Sequence, residues 1–351
     1  MSAPQDWTPP TSERDVPRPD REHVIAGLKA TDDGGVDLVQ LLTPEGERVP
    51  DPRFDPYAAD VDVERLKDLY RDLVLVRRFD REGNALQRQG QLGIFRGTDH
   101  GSWDPRATGF HLYTIVIGNQ CLNAAGYAMG QKFESRVGDG PDSEATICFF
   151  GDGATSQGDV HEGFVWAAVY DAPVVFYCQN NQWAISEPTE RQTRVPLYKR
   201  AAGYGFEGIR VDGNDVLACL AVTRWALEEC RTGNGPVLVE AFTYRMDAHT
   251  TSDDPTRYRL ADELELWKLK DPIERVRVHL VRSLGVEQEF FDEVQAQADE
   301  LAARFRQFCV DMPAPAPDRM FANVYDEPSR VVDAQRAAFL EYHASFEGSA
   351  H

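Results

Sequence analysis

Two short apolar segments, separated by one helix-length segment, constrain this fold more than any other stretch. Residues 145–150 read Ala-Thr-Ile-Cys-Phe-Phe, and residues 173–178 read Pro-Val-Val-Phe-Tyr-Cys. Both are rich in β-branched or aromatic residues and flanked by Gly or Pro, which is typical of buried parallel strands. The segment 159–170 between them carries four apolar side chains that predict one helix face: Phe164, Val165, Ala168 and Val169. We expect a right-handed strand–helix–strand unit.

Polar residues follow both predicted strands. Gly151-Asp152-Gly153 follows the first, Asn180-Asn181 follows the second, and 26 residues separate Gly153 from Asn180. A helix of about 12 residues rises about 18 Å, which returns the chain past one strand. Asp152 and Asn181 should therefore emerge at the carboxyl ends of neighbouring strands, where open α/β sheets bind ligands. One charged and one neutral oxygen donor at this edge suit Mg²⁺.

The glycines of this segment favour an anion beside the metal. Gly151 and Gly153 allow backbone amides to approach a phosphate closely. The helix predicted to start near Gly158-Asp159 points its positive end to the same region. A lone Gly-Asp-Gly is common in turns, so the prediction depends on the Asn-Asn pair at the matching strand end.

The sequence around these residues resembles that of a known family. Residues 151–163, Gly-Asp-Gly-Ala-Thr-Ser-Gln-Gly-Asp-Val-His-Glu-Gly, and residues 179–186, Gln-Asn-Asn-Gln-Trp-Ala-Ile-Ser, resemble the thiamine-diphosphate motif of the alpha subunits of 2-oxo acid dehydrogenase first components. The resemblance runs from about Leu66 to Tyr325. It implies a thiamine-diphosphate-binding α/β fold with a mostly parallel sheet flanked by helices. We expect an extended N-terminal arm (1–60), a binding domain (61–260) and a C-terminal helical region (261–351).

The resemblance also implies roles for particular residues. Mg²⁺ would be held by Asp152, Asn181 and the backbone carbonyl of Trp183. The cofactor diphosphate would meet Gly151, Gly153 and Ala154, and the aminopyrimidine ring would contact the backbone at Ile117. His249, in the loop Arg245-Met-Asp-Ala-His-Thr-Thr-Ser-Asp-Asp, matches a family histidine that lines the reaction centre. A histidine in such a loop can bind phosphate or protonate a substrate oxygen.

One segment of the family pattern is missing. Residues 87–93 end a predicted helix, and the chain then runs through Ile94-Phe95 into residues 96–105. Relatives insert several dozen residues here, including a strand and a Tyr-Arg pair that grips the diphosphate. The sequence therefore predicts an incomplete diphosphate site, and Arg191, Arg194 and Arg200 are the candidates to compensate for part of it if the basic loop folds inward.

The resemblance implies thiamine-dependent oxidative decarboxylation of a 2-oxo acid, with acyl transfer to a lipoyl group on an acyltransferase. The family places the cofactor-activating Glu on a beta subunit, and α2β2 is the expected assembly. Pyruvate and branched-chain substrates are not distinguished by these residues, although general likeness favours the branched chain. Two alternatives remain open: a shortened non-catalytic assembly subunit, and another nucleotide-binding α/β enzyme. The lack of GxGxxG and GxxxxGK[ST] motifs weighs against the latter.

Composition excludes other classes of function. The net charge of −21 over 351 residues argues against nucleic-acid binding, which needs a basic surface. No apolar run is long enough to span a membrane, and the Pro-, Asp- and Arg-containing segment 1–21 is not a secretory signal. The six cysteines form no CxxC pair, which indicates a reducing compartment and hence the cytoplasm.

Further elements follow from capping and periodicity. Asp62 and Asp215 are predicted helix N-caps, for Val63–Arg88 and Val216–Cys230. Predicted strands are Val36–Leu42, Arg48–Val49, Tyr113–Gly118, Gly208–Asp212 and Pro236–Tyr244. Predicted helices also cover Gln120–Met129, Asp271–Leu284 and Phe290–Val310, and Arg191–Arg200 is expected to be a basic loop over the site.

Overall fold

A computed structural model describes residues 38–92, 109–111, 116–313 and 316–346. The strands are β1 (Leu38–Val39), β2 (Thr146–Gly151), β3 (Val174–Asn180), β4 (Trp183–Ala184), β5 (Glu187–Pro188), β6 (Glu207–Asp212) and β7 (Val237–Phe242). The helices are α1 (Val63–Arg88), α2 (Asn119–Phe133), α3 (Gly158–Val169), α4 (Thr189–Gln192), α5 (Arg200–Tyr204), α6 (Val216–Arg231), α7 (Ala261–Lys268), α8 (Pro272–Arg282), α9 (Gln288–Asp311) and α10 (Arg330–Ala344).

The main sheet is parallel throughout, with the strand order β1-β6-β7-β3-β2. A second, two-stranded sheet pairs β4 with β5 in antiparallel fashion. One apolar cluster contains buried residues of β3, β6, β7 and α6, and another contains residues of β2, β3, α2 and α3. Strands covered on both faces have mostly apolar sequences, as the Val-Val-Phe-Tyr-Cys run of β3 shows. The predicted α/β class with a mostly parallel, helix-flanked sheet is confirmed.

The predicted strand–helix–strand unit is present as β2–α3–β3, but the predicted helix face is wrong. The side chains of Val165 and Val169 are exposed, Val169 by 71%. The buried face instead contains Val160, Gly163 and Phe164, together with Ala167. A Cβ added at Gly163 would lie 3.0 Å from the backbone carbon of Cys121, so α3 approaches α2 along its glycine. Close backbone packing therefore decides which face is buried.

The segment before α1 differs from its prediction. Only Leu38–Val39 of the predicted strand Val36–Leu42 forms a described strand, and it pairs in parallel with β6. Residues 36–37 lie outside the described residues. The predicted strand Arg48–Val49 is reduced to a single bridge between Leu42 and Arg48.

Buried charged groups hold this segment against the fold. The carboxylate of Asp215 accepts hydrogen bonds from the backbone amides of Leu41 and Leu42, each at 2.6 Å. The fully buried guanidinium of Arg275 donates to the Leu42 carbonyl at 3.0 Å and to Asp212 at 2.7 Å. These contacts join residues far apart in sequence.

Both predicted N-caps are present. Asp62 Oδ1 accepts from the amide of Arg65 at 2.8 Å, and Asp215 Oδ1 accepts from the amides of Leu217 and Ala218 at 3.0 Å. Helix α8 has Pro272 in its first turn, as predicted. The loop predicted at Arg191–Arg200 is instead largely helical, because α4, a 3₁₀ turn at Leu197–Lys199 and α5 occupy it. Of the predicted strand Tyr113–Gly118, residues 113–115 lie outside the described residues, and 116–118 form a turn before α2.

The described residues divide into two compact units. The first contains residues 38–74 and 116–291, and therefore the whole main sheet. The second contains residues 75–92, 109–111 and 292–346. Within the second unit, the rings of Phe79 and Phe305 stack with centroids 4.1 Å apart, and Glu82 pairs with Arg78 and Arg306. The predicted boundaries near residues 60 and 260 remain predictions.

Across the part of the chain that the structure describes, no helix combines the length and apolarity needed to cross a membrane.

Candidate cofactor site

The two polar motifs lie where the sequence places them, at the carboxyl ends of adjacent strands. Gly151 at the end of β2 pairs in register with Gln179 of β3, and Asn180 pairs with Phe242 of β7. Asp152 then opens a 3₁₀ turn, Asp152–Ser156, which leads into α3. Asp152 and Asn181 consequently share one edge of the sheet.

Asp152 is a buried carboxylate surrounded by neutral donors. Its side chain is 2% exposed, and its Oδ2 lies 3.2 Å from Gln192 Nε2 and 3.4 Å from Thr189 Oγ1. Burial raises the pKa of Asp152, while hydrogen bonds from Gln192, the local backbone and Thr189 oppose that rise. No cationic side chain pairs with Asp152 among the described residues. A bound cation would supply the missing charge.

The two asparagines have different tasks. Asn180 is buried and fully engaged: its Nδ2 donates to Glu240 Oε1 at 2.6 Å, and its Oδ1 accepts from the Gln182 amide at 3.0 Å. Asn181 is half-buried, and its Oδ1 accepts from the amide of Trp183 at 3.2 Å. Asn181 is therefore the asparagine that can offer an oxygen to a metal.

The two glycines of the motif differ in the space around them. A Cβ added at Gly153 would lie 2.8 Å from the Cβ of Ala184, so only glycine allows the turn to pack against β4. No atom lies within 4 Å of the corresponding position at Gly151. The open side of the turn, where a phosphate could approach backbone amides, is at Gly151. Ala154, the next predicted diphosphate contact, belongs to the same turn, and its side chain is buried.

Arg245 connects the predicted metal loop to the predicted histidine loop. Its Nη1 donates to the Trp183 carbonyl at 2.8 Å and lies 3.3 Å from His249 Nδ1. Its Nη2 donates to the carbonyl of Ile185 and to Tyr258 Oη at 3.1 Å. The Trp183 carbonyl, a predicted metal ligand, already accepts this hydrogen bond and has one lone pair left.

His249 is exposed, and its loop is held from within. Its backbone amide donates to Asp253 Oδ2 at 2.8 Å, and Tyr258 donates to the same oxygen at 2.6 Å. These bonds and the nearby Arg245 lower the pKa of Asp253. Because a guanidinium only donates, the contact with Arg245 makes His249 Nδ1 the acceptor and leaves the ring proton on Nε2.

Sequence reasoning missed the residues that surround the metal motif. Thr189 and Gln192 reach Asp152 from α4, 37 and 40 residues further along the chain. Arg200, considered as a phosphate contact, instead donates to the carbonyls of Thr155 at 3.0 Å and Gln192 at 3.4 Å. Burial lowers its pKa. No local motif marks these positions.

Two predicted features lie at or beyond the limit of the described residues. Ile117 is exposed and lies in the turn before α2. At the predicted junction after α1, Gln91 and Leu92 are described, whereas residues 93–96 lie outside the described residues.

Comparison with known proteins identifies the family of this chain. A profile of the dehydrogenase E1 component family matches residues 70–315. The chain belongs to the dehydrogenase E1 component family. The matched region contains the sheet edge with Asp152 and Asn181 and the loop with His249.

Relatives of this E1 component are named as alpha subunits. The 3-methyl-2-oxobutanoate dehydrogenase subunit alpha of Mycobacterium tuberculosis is 38% identical over 352 aligned positions, which cover 86% of this chain and 93% of the relative. The pyruvate dehydrogenase E1 component subunit alpha of Bacillus cereus is 32% identical over 313 positions, covering 75% and 82%. The mitochondrial 2-oxoisovalerate dehydrogenase subunit alpha of Homo sapiens is 39% identical over 227 positions, covering 62% and 48%.

These alignments also measure what the E1 chain lacks. The alignment to the M. tuberculosis protein has 352 positions. It includes 86% of the 351 residues of this chain, or about 302 residues, so about 50 positions of the alignment hold no residue of this chain. The alignment to the B. cereus protein has 313 positions and includes 75% of this chain, or about 263 residues. It therefore also has about 50 positions without a residue of this chain. Membership of the E1 alpha group implies thiamine diphosphate as cofactor, and a beta subunit and a lipoyl acyltransferase as partners.

Proposed function

We propose that this chain is the alpha subunit of a branched-chain 2-oxo acid dehydrogenase first component, and that it binds thiamine diphosphate through Mg²⁺ at Asp152. The observation that carries the metal site is the buried Asp152 carboxylate, whose described contacts are all neutral. Burying an unpaired carboxylate is costly, and an adjacent cation removes that cost. The branched-chain substrate is supported by the extent of the match to a 3-methyl-2-oxobutanoate dehydrogenase subunit, which covers 86% of this chain, against 75% for the B. cereus pyruvate dehydrogenase subunit.

The donor set fits Mg²⁺ rather than a softer metal. Asp152 offers a carboxylate oxygen, Asn181 an amide oxygen, and Trp183 a backbone carbonyl. Hard oxygen ligands, few in number and completed by phosphate and water, are what Mg²⁺ prefers. No group of three or more His, Cys, Asp or Glu side chains suited to a metal occurs among the described residues.

The chain's own residues would bind and orient. Thiamine diphosphate, when bound, would supply the nucleophilic carbon that the decarboxylation of a 2-oxo acid needs. The open space beside Gly151 would allow the diphosphate to approach the backbone of the turn. The packing of Gly153 against Ala184 holds the turn in place. His249, with its proton on Nε2, would donate a hydrogen bond to an oxygen of substrate or cofactor. The beta subunit would contribute the carboxylate that activates the cofactor.

Exposed apolar side chains support an obligate partner. In the first unit, Ile117 just before α2 and Tyr127 in the middle of α2 are exposed, as are Trp166 and Val169 of α3. In the second unit, Met320 and Tyr325 are exposed. Large apolar surfaces of this kind mark interaction sites. An α2β2 assembly in the cytoplasm is the proposed form, and six free cysteines agree with a reducing compartment. The comparisons do not favour a non-catalytic assembly subunit.

Calorimetry on the chain co-purified with its beta subunit tests the metal site. Thiamine diphosphate is titrated with and without Mg²⁺, into the wild type and into Asp152→Ala. We expect Mg²⁺-dependent binding in the wild type and its loss in the variant, with an unchanged circular dichroism spectrum. Equal affinity in the two proteins would refute the assignment of Asp152.

A further inference from the structure

A buried carboxylate on the central strand β7 lies behind the proposed metal site. Glu240 is 0% exposed, and each of its two carboxylate oxygens accepts from a different part of the chain. Oε1 accepts from Asn180 Nδ2 at 2.6 Å and from Arg210 Nη2 at 3.2 Å. Oε2 accepts from the backbone amide of Tyr198 at 3.0 Å.

These bonds reach both ends of the segment that covers Asp152, residues 189–198. At its start, Thr189 Oγ1 lies 3.2 Å from Asn180 Oδ1, and Asn180 is held by Glu240. At its end, the amide of Tyr198 bonds directly to Glu240. Between these two anchors, Thr189 and Gln192 both contact Asp152 Oδ2.

We propose that Glu240 is a positioning residue for the metal site: through Asn180 and the Tyr198 amide it holds residues 189–198 against Asp152. The inference rests on the proposed function, since it concerns the same ion. Residues that orient metal ligands without touching the metal commonly change metal affinity by 10–100-fold when altered. Glu240 is not one of the proposed ligands of the ion, which are Asp152, Asn181 and Trp183.

The substitution Glu240→Gln removes one of the two hydrogen bonds that hold residues 189–198. An amide has one acceptor oxygen, so Gln can serve Asn180 or the Tyr198 amide, but not both. The change also removes the buried negative charge that pairs with Arg210, and loss of one partner of a buried ion pair destabilises a fold strongly. The double variant Arg210→Met/Glu240→Gln removes both charges together and keeps the test valid if the single variant does not fold.

The matched control is Asp215→Asn. Asp215 is also fully buried, and its two carboxylate oxygens likewise accept backbone amides, but those belong to α6 and to residues 41–42. The hydrogen bonds of its carboxylate with the described residues go to residues 41–42 and 217–218, and none goes to residues 189–198. Loss of buried carboxylate bonding alone should therefore lower the melting temperature in the control without changing ion affinity.

The experiment measures Mn²⁺ binding, as a paramagnetic stand-in for Mg²⁺, by electron paramagnetic resonance. The chain is complexed with its beta subunit and saturated with thiamine diphosphate. We expect the Mn²⁺ dissociation constant to rise at least tenfold in Glu240→Gln or the double variant, and to stay within twofold in Asp215→Asn. Combining Glu240→Gln with Thr189→Val should add little to either change alone, because both act on one segment.

Each outcome decides one question. Wild-type affinity in Glu240→Gln and in the double variant would overturn the proposal. So would additive effects of Glu240→Gln and Thr189→Val, or an equal loss of affinity in Asp215→Asn. Failure of the wild type to bind Mn²⁺, or full binding by Asp152→Ala, would overturn the proposed function instead.

Discussion

Asp152 has opposite consequences for ion binding and for the stability of the metal-free protein. Its folded-state pKa is raised by burial, so the folded state holds its proton more tightly than the unfolded chain does. Stability from this group is therefore greatest below the unfolded pKa of about 4 and falls as pH rises through the raised folded pKa. At neutral pH, the ionised carboxylate should weaken the metal-free fold.

Asp152→Asn should consequently match or exceed the wild-type melting temperature at pH 7 without metal. Added Mg²⁺ and thiamine diphosphate should raise the melting temperature of the wild type only. Differential scanning calorimetry between pH 5 and pH 8 checks both statements, and the advantage of the variant should shrink as pH falls. A variant less stable than the wild type at pH 7 would contradict the argument.

Substitutions at Gly153 and Gly151 distinguish the packing of the turn against Ala184 from the approach of the diphosphate to the turn. Gly153→Ala would place its Cβ 2.8 Å from Ala184 Cβ, and overpacking of this kind costs about 1–3 kcal/mol. Gly151→Ala meets no atom within 4 Å and should leave the unfolding free energy nearly unchanged, yet weaken diphosphate binding. Urea unfolding and calorimetry measure the two effects. Restored stability in Gly153→Ala/Ala184→Gly would confirm the contact.

At the scale of elements, Arg275 of α8 ties the segment 38–49 to the sheet. Arg275→Met leaves Asp212 buried without its cation, and breaking such a pair costs about 3–5 kcal/mol. The double variant Arg275→Met/Asp212→Asn removes both charges and should recover part of that loss. Urea unfolding midpoints followed by circular dichroism provide the comparison. Equal stability of the single variant and the wild type would show that the pair contributes little.

Some elements of the fold can be predicted from the sequence, and others cannot. Strands β2 and β3, the turn at Asp152 and the N-caps Asp62 and Asp215 follow from local patterns, because strand burial and capping depend on nearby residues. The buried face of α3 does not, since it is set by the approach of Gly163 to Cys121 on another helix. Thr189, Gln192 and Glu240 were missed because their roles arise only when distant segments meet.

At the scale of the whole molecule, the segment that the family resemblance indicates is missing after α1 predicts weak cofactor binding. Relatives carry about 50 aligned positions that this chain lacks. Two lost charge-assisted hydrogen bonds, at about 1.5–3 kcal/mol each, correspond to a loss of about a hundredfold or more in affinity. We expect this chain to bind thiamine diphosphate that much more weakly than the M. tuberculosis relative.

Inserting the relative's segment after Leu92 should restore the affinity in calorimetry with the beta subunit present. An insert of equal length with the Tyr-Arg pair changed to Phe-Gln is the control, and it should restore little. If the unaltered chain already binds as tightly as the relative, the missing segment is dispensable.

Assembly provides a second prediction at this scale. The isolated chain should self-associate or aggregate, whereas co-expression with the beta subunit should yield a defined hetero-oligomer. Tyr127→Glu and Tyr325→Glu should weaken that complex in multi-angle light scattering. Tyr342→Glu, at an equally exposed aromatic position in α10, is the control. A stable, fully active monomer would refute the prediction.

The pairing of β1 with β6 has a consequence for how the chain is made. Leu38 aligns with Arg210, so a ribosome must add 172 residues after Leu38 before that pair can form. At about 5–20 residues per second, this takes about 10–35 s. Strand β7, which lies between β6 and β3, is synthesised later still. Until then β2 and β3 lack the rest of their sheet, and we expect the nascent chain to depend on chaperones that shield unpaired strands.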